Sequence, residues 1–186
     1  MTHVVIINGI NGAGKDTFVE CVKAYCKNNE CANVENISSV QPIKDMFYQL
    51  GWNGEKTEDV RNAMVVMKQI WMKNKVNNPI SFLFNNIYEY NKMHYDEDNI
   101  IFCHIREIQE IVKLRDILYG FDGVGIDCST LLVTRDSAHG SSSRSSDNKD
   151  NVHRYSYDTV IANNGTVTQL AEKAKSFVDN LLEKEI

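Results

Sequence analysis

Residues 9–17 read Gly-Ile-Asn-Gly-Ala-Gly-Lys-Asp-Thr. Gly9 and the pair Gly14-Lys15 have the G-x-x-x-x-G-K spacing of a phosphate-binding loop, in which glycines let backbone N–H groups curl around an anion. An apolar run over residues 3–8 predicts a buried strand before the loop, and helical periodicity follows it. A strand, a glycine loop and a helix in this order predict that the helix N-terminus faces a bound phosphate.

The loop supplies the candidate nucleotide-binding residues. Lys15 provides a mobile positive charge for the outer phosphates and is the first candidate for a catalytic role. Asp16 stands where a serine or threonine hydroxyl usually contacts magnesium, with Thr17 one residue later, so both are candidate magnesium residues. An aspartate at this position can hold the ion through water. The predicted ATP-binding residues are Asn11, Gly12, Ala13, Gly14, Lys15, Asp16 and Thr17.

Short apolar runs alternate with helical patterns along the rest of the chain. The predicted strands cover residues 3–8, 34–38, 99–104, 129–134 and 157–162. Thr166 and Gln169 form a capping-box pattern before the last helix. This alternation predicts one α/β domain over residues 1–186, a three-layer fold with a mainly parallel five-stranded sheet flanked by helices.

Two segments interrupt the alternation. Residues 42–95 carry helical patterns only and are predicted to form a helical insertion. Within it, one helix has an apolar stripe that we expect to face inward, formed by Val60, Ala63, Met64, Met67, Ile70 and Trp71. Residues 136–154 are rich in serine and have almost no apolar side chains, so they are predicted to form a mobile lid loop. The alternative for this loop is an idle surface insertion.

Composition excludes several classes of protein. Hydrophobic residues make up 42% and charged residues 24%, which is typical of a globular protein and not of a disordered one. The formal charge of −5 argues against a sequence-independent nucleic-acid binder, but a local cationic pocket remains compatible with it. The early apolar run over residues 4–7 is too short for a signal peptide or a membrane span. We therefore expect a cytoplasmic protein without nucleic-acid or membrane partners.

The five cysteines do not form a metal-binding pattern. No CxxC pair is present, and Cys21, Cys26 and Cys31 are spaced five apart, which does not keep three side chains on one helical face. The pattern favours free thiols in a reducing compartment over a zinc site.

The sequence also argues against a switch GTPase. Asp122-Gly123-Val124-Gly125 matches a D-x-x-G motif, but it follows a predicted helix and not a strand. The guanine-reading N-K-x-D motif fails as well, because Asn148-Lys149-Asp150 is followed by Asn151.

Charged residues at the ends of predicted strands are candidates for binding a second substrate, because ligands of parallel sheets bind at the carboxyl ends of the strands. Arg106 follows the strand at 99–104, and Glu110 lies one helical turn later, where it could orient the guanidinium. The alternative is an i,i+4 ion pair on a solvated helix start.

Three further arginines flank or lie within the predicted lid loop. Arg135 ends the strand at 129–134, Arg144 lies in the loop and Arg154 follows it. If the loop closes over a nucleotide, these side chains can neutralise charge on a transferred phosphoryl group, so they are predicted to be catalytic. A basic surface loop is the alternative.

Several segments resemble the nucleoside monophosphate kinase superfamily of P-loop proteins. Lys15-Asp16-Thr17 is similar to the loop endings of these enzymes. Residues 39–44, Ser-Val-Gln-Pro-Ile-Lys, resemble the A-x-P-L-K segment of deoxynucleoside monophosphate kinases and phosphomevalonate kinases. Residues 51–56 with Arg61 resemble the W-x-G-x-K…R stretch of the phage-type deoxynucleotide kinases.

Two further matches lie later in the chain. Arg106 with Glu110 is similar to that group's D-V-R-x-x-x-E segment, and residues 157–166 resemble D-x-x-I-x-N-x-G-T before the last helix. The sequence departs from the group at His104, where its strand usually ends near an aspartate. Asp45, Asp16 or Glu107 would then have to organise magnesium.

The resemblance implies an ATP- and magnesium-dependent kinase that transfers the γ-phosphoryl group to a (deoxy)nucleoside monophosphate. It makes the 42–95 insertion the acceptor-binding part of the chain, and the candidate acceptor residues are Lys44, Arg61, Arg106 and Glu110. Another acceptor, such as phosphomevalonate or dephospho-coenzyme A, remains open. So does a nucleotide-binding regulator without turnover, which His104 and Asp16 favour. The sequence does not decide between a monomer and a homodimer.

Overall fold

A computed structural model describes residues 1–55, 57–120, 125–138 and 152–183. Within these ranges five strands alternate with six helices. The strands are β1 (Thr2–Asn8), β2 (Asn33–Ser38), β3 (Asn99–His104), β4 (Ile126–Thr134) and β5 (Thr159–Ala162). The helices are α1 (Lys15–Asn29), α2 (Gln41–Gln49), α3 (Glu58–Met72), α4 (Pro79–Met93), α5 (Ile108–Tyr119) and α6 (Val167–Leu182).

The five strands form one parallel sheet in the order β2-β3-β1-β4-β5. The register aligns His104 with both Ile7 and Ser38, and Asn8 with Leu132. The carboxyl ends of β1, β2 and β3 therefore meet at one edge of the sheet, where parallel α/β folds bind ligands. The predicted fold class is confirmed.

Apolar packing on both faces of the sheet creates the three layers. On one face, Phe18 of α1 packs edge-on against Phe102 of β3 and Phe177 of α6, with ring centroids 6.3 and 5.5 Å apart. The other face packs against α4 and α5 through residues such as Leu83 and Ile111. Since β1 is buried on both sides, its apolar residues run without alternation, as in other parallel sheets.

Side-chain caps fix where the helices begin. Asn78 accepts hydrogen bonds from the backbone N–H groups of Ile80 and Ser81 at the start of α4. Thr166 and Gln169 form the predicted capping box at the start of α6. Both caps satisfy N–H groups that the first helical turn leaves without partners.

The predicted helical insertion lies between β2 and β3, where the apolar stripe of α3 is partly buried except at Ile70, and no residue of the helix is fully buried. Ile70 is 62% exposed, and Val66, outside the predicted stripe, is 53% exposed. The reason is that α3 packs mainly against α2 and α4 and not against the sheet. A salt bridge connects α3 to α5: Lys68 Nζ lies 2.7 Å from Glu110 Oε2, and both side chains are largely buried.

Two predicted features lie wholly or partly outside the described residues. Of the lid loop, the structure describes only 136–138 and 152–154, and of the D-x-x-G segment only Gly125. Among the described helices, none is both long and apolar enough to cross a membrane.

We expect Lys68→Met to lower the free energy of unfolding by about 2 kcal/mol, because it leaves the buried Glu110 carboxylate without its cation. Lys68→Met combined with Glu110→Gln should recover part of this loss. Chemical denaturation of the two single variants and the double variant measures the coupling energy. Lys73→Met, an exposed change at the end of the same helix, is the control. If Lys68→Met and Lys73→Met lower the free energy of unfolding equally, the salt bridge of Lys68 with Glu110 does not stabilise the fold.

Candidate active site

The loop after β1 approaches its neighbours so closely that two of its positions require glycine. A Cβ on Gly9 would lie 2.3 Å from the carbonyl oxygen of Val133 in β4. A Cβ on Gly14 would lie 2.2 Å from Asn163 Nδ2, and Gly14 also has a left-handed φ of +94°. These contacts explain the glycine spacing physically and confine the loop between β4 and the segment after β5.

Two asparagines hold the loop in place. Asn8 Oδ1 accepts a hydrogen bond from the Gly9 N–H at 2.7 Å, while its Nδ2 donates to Tyr157 Oη at 2.8 Å and to the Arg106 carbonyl. Asn163 Nδ2 donates to the Ala13 carbonyl at 2.9 Å. The start of the loop is therefore held by Asn8, which is itself bonded to Tyr157 and Arg106, and its later part is held by Asn163.

The sequence analysis missed both anchors. Asn163 lies within the segment 157–166 that carried part of the resemblance, but no role could be assigned to it. Asn8 could have been noticed as a polar residue that ends an otherwise apolar strand. What each amide contacts depends on residues about 100 to 150 positions away, so local sequence patterns do not reveal it.

The predicted nucleotide-binding residues lie together at the start of α1. Gly14 is the N-cap residue and has no side-chain cap, so the first N–H groups of the helix are available to an anion. Asn11, Gly12, Asp16 and Thr17 are exposed there, whereas Ala13 is buried beneath the loop. Accessible amides at a helix N-terminus can bind a phosphate group.

Lys15 folds back over its own loop. Its Nζ donates to the carbonyl oxygens of Gly9 at 2.6 Å and Ile10 at 3.0 Å. The ammonium therefore lies at the mouth of the loop, where phosphate oxygens can replace these carbonyls as acceptors.

His104 lies at the centre of the charged residues at the strand ends. Its Nε2 is buried, has no hydrogen-bond partner among the described residues and lies 3.9 Å from Asp16 Oδ1. The pKa of His104 is lowered to about 4, chiefly by burial and also by the positive charges of Lys15, Lys44 and Arg106, while Asp16 acts in the opposite direction. The imidazole is therefore neutral at neutral pH.

The structure brings Lys44 and Arg106 to the same region as Lys15. Lys44 lies in the first turn of α2, and Arg106 is exposed in the connection between β3 and α5. Both lower the pKa of His104. They are close enough to do so because β1, β2 and β3 end at the same edge of the sheet. Arg61, the third predicted acceptor cation, lies in the first turn of α3.

Glu110 is buried in α5, and its carboxylate binds Lys68 of α3. The spacing in the sequence predicts that this carboxylate orients Arg106, and it gives no indication of Lys68. The two residues of the salt bridge are 42 positions apart, so no helical spacing could have paired them.

The predicted lid arginines are described in part. Arg135 and Arg154 are exposed, Arg135 directly after β4 and Arg154 shortly before β5. Arg144 lies outside the described residues.

A single carboxylate beside the loop suits a magnesium ion bound together with phosphates. Among the described residues, no three His, Cys, Asp or Glu side chains form a group that could hold a metal. Magnesium in phosphoryl-transfer sites keeps several waters and takes one or two carboxylates plus phosphate oxygens. Asp16 is 89% exposed at the loop and fits this requirement. Of the other candidates, Asp45 accepts a hydrogen bond from Gln41 at 2.7 Å, and Glu107 is the exposed N-cap residue of α5.

The sequence matches no protein-family model and no curated protein, so similarity rests on solved structures. An APS kinase from Mycobacterium tuberculosis, in a cysteine-to-alanine variant, superposes with a TM-score of 0.51 at 8% identity, over 96% of this chain and 97% of that chain. The same enzyme in complex with AMPPNP and APS gives 0.51 at 9% identity, over 97% of each chain. The protein has the fold of P-loop kinases. A gluconokinase from Sinorhizobium meliloti is more distant, with a TM-score of 0.45 at 13% identity, over 100% of this chain and 97% of that chain.

The buried imidazole makes the stability of the protein depend on pH. Because the pKa of His104 in the folded chain is about 4 and its ordinary value is 6.5, the unfolded chain binds more protons between these values. The contribution of the neutral His104 to the free energy of unfolding is complete above pH 6.5, and it is lost as the pH falls towards 4.

We therefore expect wild type to lose more stability than His104→Gln between pH 7 and pH 5, by roughly 1–2 kcal/mol. Chemical denaturation at both pH values measures the difference. Titration of the carboxylates also changes the stability with pH, but it contributes equally to wild type and His104→Gln and therefore cancels in the difference. An equal loss in the two proteins would show that burial does not keep the imidazole neutral.

Proposed function

We propose that this protein is a kinase that transfers the γ-phosphoryl group of ATP to a (deoxy)nucleoside monophosphate. The observation that carries the proposal is the loop of residues 9–17: its glycines are required by close contacts, and its lysine lies at the mouth of an uncapped helix N-terminus. The P-loop kinase fold agrees with it, and a protein of that fold binds AMPPNP together with APS.

In this proposal the loop binds the phosphates of ATP. The N–H groups of residues 11–17 would donate to the β- and γ-phosphate oxygens, and the Lys15 ammonium would leave the carbonyls of Gly9 and Ile10 to bind the same oxygens. Since Asn8 and Asn163 already hold the loop, little reorganisation is needed when the nucleotide binds. Magnesium bound with ATP would supply further positive charge, and Asp16 and Thr17 would hold it, Asp16 through water.

The acceptor would bind beside the loop at the same edge of the sheet. Arg106 and Lys44 follow strands that end beside the loop, and both affect His104 electrostatically together with Lys15, so they are the candidate cations for the acceptor phosphate. A guanidinium can bind a phosphate with two parallel N–H bonds, so Arg106 is assigned to the acceptor phosphate. Arg61 and Glu110 would border the acceptor on the side of the insertion.

The nucleotide acceptor rests on the resemblance of residues 39–44, 51–56 and 157–166 to deoxynucleotide kinases. Other phosphorylated acceptors, phosphomevalonate and dephospho-coenzyme A, would use the same cations. A coupled assay of ADP formation with a panel of NMPs, dNMPs and these two compounds distinguishes them. Turnover with no member of the panel would contradict kinase activity towards these acceptors.

A nucleotide-binding regulator without turnover is the second candidate function. It is favoured by the neutral His104 imidazole, which lies 3.9 Å from Asp16 where a second carboxylate would strengthen a magnesium site. Calorimetric binding of ATP with magnesium, without ADP formation on any acceptor, would support this function over the kinase.

We expect Lys15→Ala to reduce phosphoryl transfer by about 10²–10³-fold, because it removes a positioned positive charge from the transferring group. Steady-state assays measure the rate, and circular dichroism checks the fold. Lys23→Ala is the matched control, since Lys23 lies on the same helix and pairs with Glu20 away from the loop. If Lys15→Ala retains turnover within tenfold of wild type, the assignment of the loop is wrong.

We expect Arg106→Lys to raise the acceptor KM by about tenfold or more, since an ammonium keeps the charge but loses the paired N–H bonds. The KM for ATP should change little. Initial rates with each substrate varied in turn separate the two constants. Lys113→Ala, an exposed change farther along α5, controls for general surface effects. An unchanged acceptor KM would refute the role of Arg106.

A further inference from the structure

The C-terminal end of α1 brings two cysteines together. The helix ends at Asn29, and Glu30 adopts the left-handed conformation, with φ of 49° and ψ of 37°. The N–H of Cys31 then donates to the carbonyl of Cys26 at 3.2 Å. This bond from the second residue after the helix back to its last turn defines a Schellman motif.

Side chains at the two bonded positions of a Schellman motif usually pack against each other. Here both positions are cysteines. Cys26 is 1% exposed in the core beneath α1, and Cys31 is half-buried against the same apolar cluster. Burial, together with a hydrogen bond to the Cys31 thiol, raises the pKa of Cys26 to about 12. The two thiols are therefore neighbours, one enclosed and the other accessible from solvent.

A second pair of cysteines in α1 has the same five-residue spacing, but its thiols are not neighbours. Cys21 and Cys26 are also five residues apart, but both lie within the helix. Five residues of an α-helix correspond to a rotation of about 140° between side chains, so these two thiols point in different directions. If the helix continued through residue 31, the Cys26 and Cys31 side chains would also point in different directions. The left-handed residue Glu30 turns the chain back and brings the two thiols together.

We propose that Cys26 and Cys31 form a dithiol site that hydrogen peroxide oxidises to a disulfide. The Cys31 thiolate attacks one peroxide oxygen, the O–O bond breaks, and Cys31 sulfenic acid and one water result after protonation. The Cys26 sulfur then attacks the Cys31 sulfur, the S–O bond breaks, and a second water leaves. Two thiols lose two hydrogens in total, and one peroxide is reduced to two waters.

The order of the two steps follows from the environment of the thiols. Cys31 is the more accessible sulfur and reacts with the oxidant first. The high pKa of Cys26 keeps it protonated, so closure of the disulfide is the slower step. The site lies at the opposite end of α1 from the phosphate loop, about 20 Å away for a helix of 15 residues. The proposal is therefore independent of the proposed kinase function.

Trypsin provides a direct test, because it cleaves after Lys15, Lys23, Lys27 and Lys44. The full-length protein is treated with hydrogen peroxide, alkylated in denaturant, digested and examined by mass spectrometry. A Cys26–Cys31 disulfide links peptides 24–27 and 28–44, whereas a Cys21–Cys26 disulfide links peptides 16–23 and 24–27. We expect the first link to form at least tenfold faster than the second.

Variants and a denatured sample complete the test. Cys21→Ser should retain the link between 24–27 and 28–44, and Cys31→Ser should abolish it without producing the other link. In denaturant the two links should form at similar rates, since the spacings are equal and the folded helix end is absent. The proposal is overturned if both links form equally in the folded protein, or if Cys31 proceeds to sulfinic acid with Cys26 still reduced.

Discussion

The close approach of Gly9 to the carbonyl of Val133 is the constraint on which the rest of the site depends. The two backbones lie too close together for a side chain between them. Glycine at position 9 therefore allows the loop after β1 to bend over the end of the sheet. That bend starts α1 with its N–H groups facing the loop and places Lys15 at the mouth. Asn8, directly before the loop, and Asn163, about 150 residues later, keep the bend closed with hydrogen bonds to Gly9 and Ala13. In the proposed function, this loop would be preorganised for phosphate before the nucleotide binds.

The strand order then decides which charges surround this loop. With β3 beside β1 and β2 beside β3, residues that follow three different strands meet at one edge. Cations from all three of these connections, Lys15, Lys44 and Arg106, act on a largely buried imidazole, although the protein as a whole carries a formal charge of −5. Local concentration of positive charge on an acidic protein favours anionic substrates without attracting nucleic acid. Because the imidazole of His104 is neutral at neutral pH, it adds a buried polar group to the site but no positive charge.

Within the insertion, α3 is attached to the core less firmly than α4. No residue of α3 is fully buried, and the salt bridge of Lys68 with Glu110 joins the helix to α5. In contrast, Leu83 and Ile87 of α4 are completely buried against the sheet. Segments with few buried apolar contacts open at low free-energy cost, and kinases use such segments to admit and enclose their substrates. The salt bridge at Glu110, one turn after Arg106, thus links the position of α3 to the proposed acceptor site.

The sequence by itself determined the parts that depend on local spacing. Gly9, Gly14 and Lys15 specified the loop, continuous apolar runs specified buried parallel strands, and Thr166 with Gln169 specified the start of α6. The tertiary structure alone decided what lies beside these elements: Asn163 under the loop, Asp16 beside His104, Lys68 on Glu110 and Cys31 on Cys26. Three of these pairs join residues far apart in the chain, and the fourth depends on one left-handed residue at a helix end. Periodicity describes a residue relative to its own helix or strand, whereas such contacts arise from how elements pack and where they end.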